Sequence, residues 1–146
     1  MTDSELVITR IFDAPRPMVY RAFVDPDQLA QWFGPAGWHV PRESVDIDPR
    51  PGGVQRFTMV NDDDPALTST VAATFTEVVE NELLAGEQPT SMVPGYDRMY
   101  LRIEFSDTGD GRTRIVLRQG PYTPDWESSA RDGWGTSFDK LELILG

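Results

Sequence analysis

The 146-residue sequence predicts an α+β fold, in which one antiparallel sheet packs against a long C-terminal helix. Three observations predict it. A strand-like segment and two short helical segments come first, β-type segments then continue to about residue 119, and a helical stripe of large apolar residues ends the chain. We find no repeats, low-complexity runs or linkers. The sequence therefore indicates a single domain over residues 1–146.

The first element is predicted as a strand over residues 5–12, whose sequence ELVITRIF is dense in β-branched and apolar side chains. A helix is expected over residues 16–24, because Val19, Ala22 and Phe23 then share one face.

A second short helix is indicated by its end signals. Asp25 is expected as the N-cap, Pro26 fits the first turn, and Gln28 stands at the capping-box position. Gly34 and Pro35 are expected to end this helix.

The middle of the chain carries strand signals separated by turn residues. Strands are predicted over residues 42–47, 54–60, 67–79 and 80–86. The third is expected to contain a bulge where its alternation slips, and the fourth is expected at a sheet edge.

A β-hairpin is predicted from residues 98–106 and 112–119, which flank the turn-rich loop DTGDG. We centre the register on Gly109, because this gives one apolar and one charge-matched face. The predicted pairs are Ile103–Ile115 and Leu101–Leu117 on one face, and Glu104–Arg114 and Tyr100–Arg118 on the other.

The C-terminal helix is expected to begin with Thr123 as N-cap and Pro124 in its first turn. At about 100° per residue, its inner face differs between its two halves. The later half carries the large side chains Trp134, Phe138, Leu141 and Leu145, whereas the earlier half offers Ala130 and Glu127. Either neighbouring aromatic residues fill the space under the earlier half, or a cavity lies there.

Gly133 and Gly135 flank Trp134, although each costs a helix roughly 0.5–1 kcal/mol relative to alanine. We interpret them as allowing close packing of the helix on the sheet around the indole.

Composition and charge exclude several classes of function. The net charge of −11, from 24 acidic and 13 basic residues, argues against nucleic-acid binding and against anionic membrane surfaces. No apolar run approaches 18 residues and no signal peptide is visible, so neither membrane insertion nor secretion is expected. The absence of cysteine excludes disulfides and thiolate zinc sites. A soluble, cytoplasmic protein is therefore expected.

The chain resembles the SRPBCC (START-related, helix-grip) superfamily, and specifically the branch named for the activator of the heat-shock-protein-90 ATPase. The matching segments are DAPRPMVYRAFVDPDQLAQWFGP, DPRPGGVQRFTM, GDGRTRIVLRQ and GWGTSFDKLELIL. The resemblance implies a curved sheet of about seven antiparallel strands around the C-terminal helix, with two short helices after strand 1. It also implies an elongated apolar cavity for a small hydrophobic molecule between the sheet and that helix.

Candidate catalytic and metal-binding residues are few. His39 is the single histidine, and Asp62, Asp63 and Asp64 lack the glycine and glutamate spacing of an EF-hand, so each is interpreted as a loop residue. No metal, cofactor or nucleophile motif is present. Glu127 is an inward-facing carboxylate, expected at the cavity entrance, where it either acts in acid–base chemistry or simply reaches water or pairs with an arginine.

The leading hypothesis is binding of a small hydrophobic molecule, such as a lipid, a sterol or an aromatic polyketide-like compound. The expected cavity residues are Phe57, Met59, Phe75, Met99, Leu101, Ile103, Leu117, Trp126, Glu127, Ala130 and Trp134. A cyclase- or hydrolase-like enzyme using the same cavity is the alternative, with Glu127 or His39 facing it. A protein-interaction module with a chaperone partner is the third hypothesis.

Overall fold

The computed structural model describes residues 4–90 and 95–145 and has the predicted α+β architecture. The helices are α1 (Arg16–Val24), α2 (Pro26–Trp32) and α3 (Pro124–Leu145), with one 3-10 turn at Arg42–Ser44. The strands are β1 (Ser4–Phe12), β2 (Trp38–His39), β3 (Asp46–Ile47), β4 (Val54–Asn61), β5 (Thr68–Val79), β6 (Leu83–Pro89), β7 (Arg98–Asp107) and β8 (Thr113–Tyr122).

These strands form one antiparallel sheet in the order β1-β8-β7-β6-β5-β4-β2, and β3 also pairs with β4. About seven strands were expected, and the described residues contain eight because two segments of two residues each extend the β4 edge. The architecture is consistent with a helix-grip fold. No helix in the described ranges is long and apolar enough to cross a membrane.

The two short helices form where the sequence predicts them. Asp25 caps α2, since its Oδ1 accepts hydrogen bonds from the backbone N–H groups of Asp27 (2.9 Å) and Gln28 (3.3 Å). The buried indole of Trp32 donates from Nε1 to the Ala22 carbonyl (2.9 Å), which ties α2 to α1. This pair of helices supplies aromatic side chains to the space between sheet and α3.

The β7–β8 hairpin forms, but its predicted register is wrong by two residues. Ile103 pairs with Leu117, and Leu101 pairs with Gln119. The five-residue loop runs from Thr108 to Arg112, whose backbone groups are joined by a 3.1 Å hydrogen bond. The slip keeps every side chain on its predicted face, because the side-chain period of a strand is two.

The cause of this slip lies in the loop. Gly109 and Gly111 both adopt positive φ (91° and 85°). Arg112 bonds the Asp110 carboxylate (2.7 Å), which holds the pKa of that carboxyl well below its usual range. Arg112 therefore belongs to the loop, whereas the prediction placed it in the strand.

Two further strand predictions are corrected. The segment containing β6 was expected at an edge but lies between β5 and β7, where Leu83, Leu84 and Ala85 are buried. The segment 42–47 forms a 3-10 turn and a two-residue strand. The bulge predicted in β5 is present between Phe75 and Glu77.

The hydrophobic core lies under the C-terminal half of α3. Phe138 and Leu141 are completely buried there. The Phe138 ring lies 5.6 Å from Phe12 and 6.1 Å from Trp32, measured between ring centroids. Arg10 of β1 also pairs with Asp139 of α3 (2.6 Å). This half of the helix is therefore held against β1 and the short helices.

Candidate functional site

A cavity of about 700 Å³ opens between the sheet and the N-terminal half of α3. Its floor is formed by side chains of β4 to β8, and α3 covers it with Trp126, Ser129, Ala130 and Gly133. Between Trp126 and Trp134, the side chains of α3 that cover the cavity are small, which leaves the space open. The volume falls within the range of about 300–1,000 Å³ that is usual for small-molecule sites.

Most of the expected cavity residues surround this space. They are Phe57, Met59, Phe75, Met99, Leu101, Ile103, Trp126, Ala130 and Trp134. The strand residues among them alternate along β4 and β7, as side chains on one face of a sheet must.

Leu117 was expected in the lining but lies outside it. Its side chain is completely buried in the hydrophobic core. The two-residue shift of the hairpin explains the error, because it places Gln119, and not Leu117, beside Leu101. Gln119 lines the cavity and was missed by the sequence analysis for the same reason.

Glu127 was also expected at the cavity entrance and is not among the lining residues. Its Oε2 lies 3.6 Å from Nη2 of Arg131, one helical turn further along α3. Arg131 in turn donates from Nη1 to the Val7 carbonyl of β1 (3.1 Å). Glu127 therefore pairs with an arginine that is itself bound to β1. This agrees with the interpretation of Glu127 as an arginine partner and not as an acid–base group.

His39 lies outside the cavity. Its side chain is half-exposed, and Nδ1 lies 2.6 Å from Oδ1 of Asp62. Asp63 and Asp64 follow in a turn, where their backbone N–H groups bond to the Asn61 side chain (both 3.0 Å). In the part of the chain that the structure describes, no group of three His, Cys, Asp or Glu could hold a metal ion.

Trp134 and Gln119 form a polar contact across the cavity wall, between α3 and β8. The indole Nε1 of Trp134 donates to Oε1 of Gln119 (2.8 Å). The Trp134 ring also contacts Phe33 of the α2 C-terminus edge to face, at a centroid distance of 5.4 Å. These contacts fix both the indole and the Gln119 amide.

The cavity wall carries little charge. Among its described lining residues, Glu87 alone is charged, and this half-exposed carboxylate pairs with Arg98 (3.2 Å). Burial raises the pKa of the Tyr122 hydroxyl from near 10 to about 12, which keeps this lining residue neutral even at moderately alkaline pH. The wall is therefore mostly apolar, and apart from Glu87 its polar side chains are neutral amides and hydroxyls.

The close-packing interpretation of the two glycines is wrong. A Cβ added at Gly133 would meet the Cβ of Pro35 at 3.8 Å, which is an ordinary contact, and one at Gly135 would meet nothing within 4 Å. Neither position requires glycine on steric grounds. Gly133 instead lies in the cavity lining, where a missing side chain adds to the open volume.

Comparisons with known proteins agree with this architecture. The model of the family described as Activator of Hsp90 ATPase homolog 1-like protein matches residues 13–146. Among curated proteins, none matches the chain significantly.

Several solved structures are similar over nearly the whole chain. A protein from Chromobacterium violaceum is 21% identical with a TM-score of 0.83, and the match covers 97% of this chain and 96% of that one. A protein from Nitrosomonas europaea is 26% identical with a TM-score of 0.79, covering 97% and 93% of the two chains. The AHSA1 protein from Silicibacter pomeroyi is 22% identical with a TM-score of 0.80, covering 97% of each chain.

Proposed function

Since the chain belongs to the Activator of Hsp90 ATPase homolog 1-like branch of the SRPBCC superfamily, we propose that it binds a small hydrophobic molecule in the cavity under α3. Membership of this family suggests a ligand-binding or co-chaperone-like domain. The observation that carries the ligand-binding proposal is the apolar cavity of about 700 Å³.

The physical argument for binding is the apolar surface that the empty cavity leaves in contact with water. Met59, Val71, Leu101 and Trp134 line the cavity and remain partly exposed, whereas Phe57, Phe75 and Met99 beneath them are almost completely buried. A ligand that covers such surface gains roughly 25 cal/mol for each Å² removed from water. Much of the wall exists before binding, which lowers the cost of ordering it around a ligand.

The small residues of the cavity cover support the same proposal. A large side chain at Ala130 or Gly133 would project from α3 into the space that both residues line. The chain has large side chains further along the same helix, where Phe138 and Leu141 are completely buried. The open volume thus follows from which residues stand in the first half of α3.

A ligand panel with two matched variants tests the proposal. Chemical-shift changes are measured for fatty acids, sterols and polyketide-like aromatic compounds. Ala130→Trp fills the cavity and is expected to weaken binding at least about tenfold, because the ligand and the indole compete for one volume. Ser128→Trp places the same side chain on the exposed face of α3 and is expected to leave binding unchanged.

The proposal is overturned if the wild-type protein responds to no compound in the panel, or if both tryptophan variants bind equally well. Native mass spectrometry of protein purified from its own source adds an independent measurement. A carried-over ligand appears there as added mass, and Ala130→Trp is expected to lose it.

The enzyme hypothesis is not favoured by the side chains on which it depended. Glu127 pairs with Arg131, and His39 pairs with Asp62 outside the cavity. Neither residue lines the space where a substrate would lie.

One observation favours the protein-interaction hypothesis as a second candidate. Leu143 near the end of α3 is 83% exposed, and the next residue, Ile144, is 40% exposed. An exposed apolar surface of this kind is typical of protein contacts. If a chaperone binds there, the chain is expected to alter the ATPase rate of a purified Hsp90-type chaperone, and Leu143→Asp is expected to abolish that change.

A further inference from the structure

In the Gln119 side chain, which lines the cavity, the amide oxygen accepts a hydrogen bond, whereas the amide nitrogen has no acceptor among the described residues. The side chain is 8% exposed, and its Oε1 accepts the hydrogen bond from Trp134. Because an indole N–H can only donate a hydrogen bond, its partner must be the amide oxygen Oε1. The amide nitrogen Nε2 takes no part in this bond. Within residues 4–90 and 95–145, Nε2 makes no hydrogen bond to the protein.

An amide nitrogen in this position favours a particular partner. A buried N–H group without an acceptor costs about 1–3 kcal/mol, so a ligand that supplies an acceptor gains over one that displaces water without replacing its hydrogen bond. Trp134 holds the amide in place before the ligand arrives. The donor is therefore already oriented when a ligand binds.

The surroundings of Gln119 define where on the ligand this acceptor would lie. Gln119 pairs with Leu101 of β7, and Met99 and Ile103 stand two residues away on the same face. Successive side chains on one strand face are separated by about 7 Å. Apolar surface thus extends in both directions from the amide, which suits an acceptor inside an apolar molecule better than one at its end.

The charges of the site argue against an anionic ligand. The described lining contains no lysine, arginine or histidine, and its charged member is the carboxylate of Glu87. The whole chain has a net charge of −11. A carboxylate taken into this cavity would lose water without gaining a cation, which is strongly unfavourable.

We propose that the ligand is a neutral hydrophobic molecule with an internal carbonyl oxygen, and that this oxygen accepts a hydrogen bond from Nε2 of Gln119. Ketones, esters and amides share this chemistry. Fatty-acid anions are excluded by their charge, and plain hydrocarbons have no carbonyl oxygen. This inference rests on the proposed function of the cavity and specifies the class of molecule it selects.

Three probes that differ at one carbon test the inference. Benzophenone has a carbonyl there, diphenylmethane has a methylene, and diphenylacetate adds a carboxylate. Affinities for the wild-type protein are measured by chemical-shift titration. We expect benzophenone to bind about tenfold more tightly than diphenylmethane, because its oxygen gains one hydrogen bond from a buried donor. Diphenylacetate is expected to bind most weakly.

Two glutamine variants locate the effect. Gln119→Met keeps the length of the side chain and removes the donor, so the preference for benzophenone over diphenylmethane is expected to fall to about one. Gln31→Met removes an exposed glutamine of α2 that does not line the cavity, and it is expected to keep the preference. Comparing the two probes within each variant cancels any general change in stability.

A measurement on the wild-type protein does not depend on either variant folding. The side-chain NH₂ resonances of Gln119 are expected to shift with benzophenone and to shift much less with diphenylmethane. Equal affinities for these two probes, a preference that persists in Gln119→Met, or tightest binding of diphenylacetate would overturn the inference while leaving the proposed function intact. If the wild-type protein binds none of the three probes nor any compound in the broader panel, the proposed function fails and the inference fails with it.

Discussion

The two halves of α3 lie over the same sheet and differ in what separates them from it. Under the later half, Phe138 and Leu141 are completely buried, and the Phe138 ring contacts rings from β1 and the short helices. Under the earlier half, Ala130 and Gly133 cover an open cavity, and Trp126 is 47% exposed at its edge. One half of the helix fixes the fold, and the other is free to line a binding site.

This comparison shows how a single amphipathic helix can serve stability and binding together. The binding half can remain underpacked because the other half holds the helix in position. Arg10 strengthens that hold through ion pairs with Asp139 and Glu142 at the later half. Substitutions of similar chemistry should therefore have different effects in the two halves.

The largest difference is expected between Phe138→Ala and Trp126→Ala. Phe138 is completely buried, and its truncation leaves a void, so we expect a loss of about 3–5 kcal/mol in the free energy of unfolding. Trp126 is half-exposed, and its truncation is expected to cost about 1 kcal/mol or less. Urea denaturation of both variants measures this difference. Equal losses would contradict the division of the helix.

Alkaline pH tests the cavity side of the comparison. Burial raises the pKa of Tyr122 to about 12, above its ordinary value near 10, so the folded state retains the proton more strongly than the unfolded state. The stabilising contribution is complete below about pH 10 and is lost as the pH rises toward 12. The difference between the folded-state and unfolded-state pKa of Tyr122 corresponds to on the order of 2–3 kcal/mol in the free energy of unfolding.

Denaturation of wild type and Tyr122→Phe between pH 9 and 12 measures this contribution. The variant is expected to lose stability less steeply over that range. Tyr100→Phe serves as a control, because Tyr100 also has a pKa of about 12 but is more exposed, and solvent screening reduces its effect. An unchanged slope in Tyr122→Phe would show that its hydroxyl is not protected by burial.

Trp134 lies where the two halves meet, and Trp134→Phe is expected to cost about 1–2 kcal/mol. The substitution keeps a ring beside Phe33 but removes the hydrogen bond to Gln119. It is also expected to reduce the preference for a carbonyl ligand, because the Gln119 amide is no longer oriented. Denaturation measures the stability loss, and titration with benzophenone and diphenylmethane measures the preference. A stability loss with an unchanged preference would show that Trp134 does not orient the Gln119 amide.

The smallest effects are expected from Gly133→Ala and Gly135→Ala. Both positions accommodate a Cβ, so each substitution is expected to stabilise the helix by roughly 0.5–1 kcal/mol. Gly133→Ala is also expected to weaken ligand binding slightly because Gly133 lines the cavity, whereas Gly135→Ala leaves binding unchanged. Destabilisation by Gly135→Ala in thermal denaturation would restore the close-packing interpretation.

The outcome of the sequence analysis depended on how local each signal was. The predicted boundaries of the first helix match α1 (Arg16–Val24), and Asp25 caps α2 as expected, because N-caps and helical faces involve neighbouring residues. The hairpin register was wrong because it depends on how the loop holds Arg112, which periodicity does not reveal. The error then carried Leu117 into the expected site and left Gln119 out of it.

The sequence by itself determined the order of elements, the family and the contrast between the bulky and the sparse half of α3. These properties follow from residue type and from spacings of a few residues along the chain. Tertiary structure decided that β6 lies inside the sheet, that Arg131 reaches the Val7 carbonyl of β1, and that Trp134 orients Gln119 in the cavity wall. Each of these contacts depends on strand register and side-chain reach across elements, which are settled only when the sheet and the helix pack together.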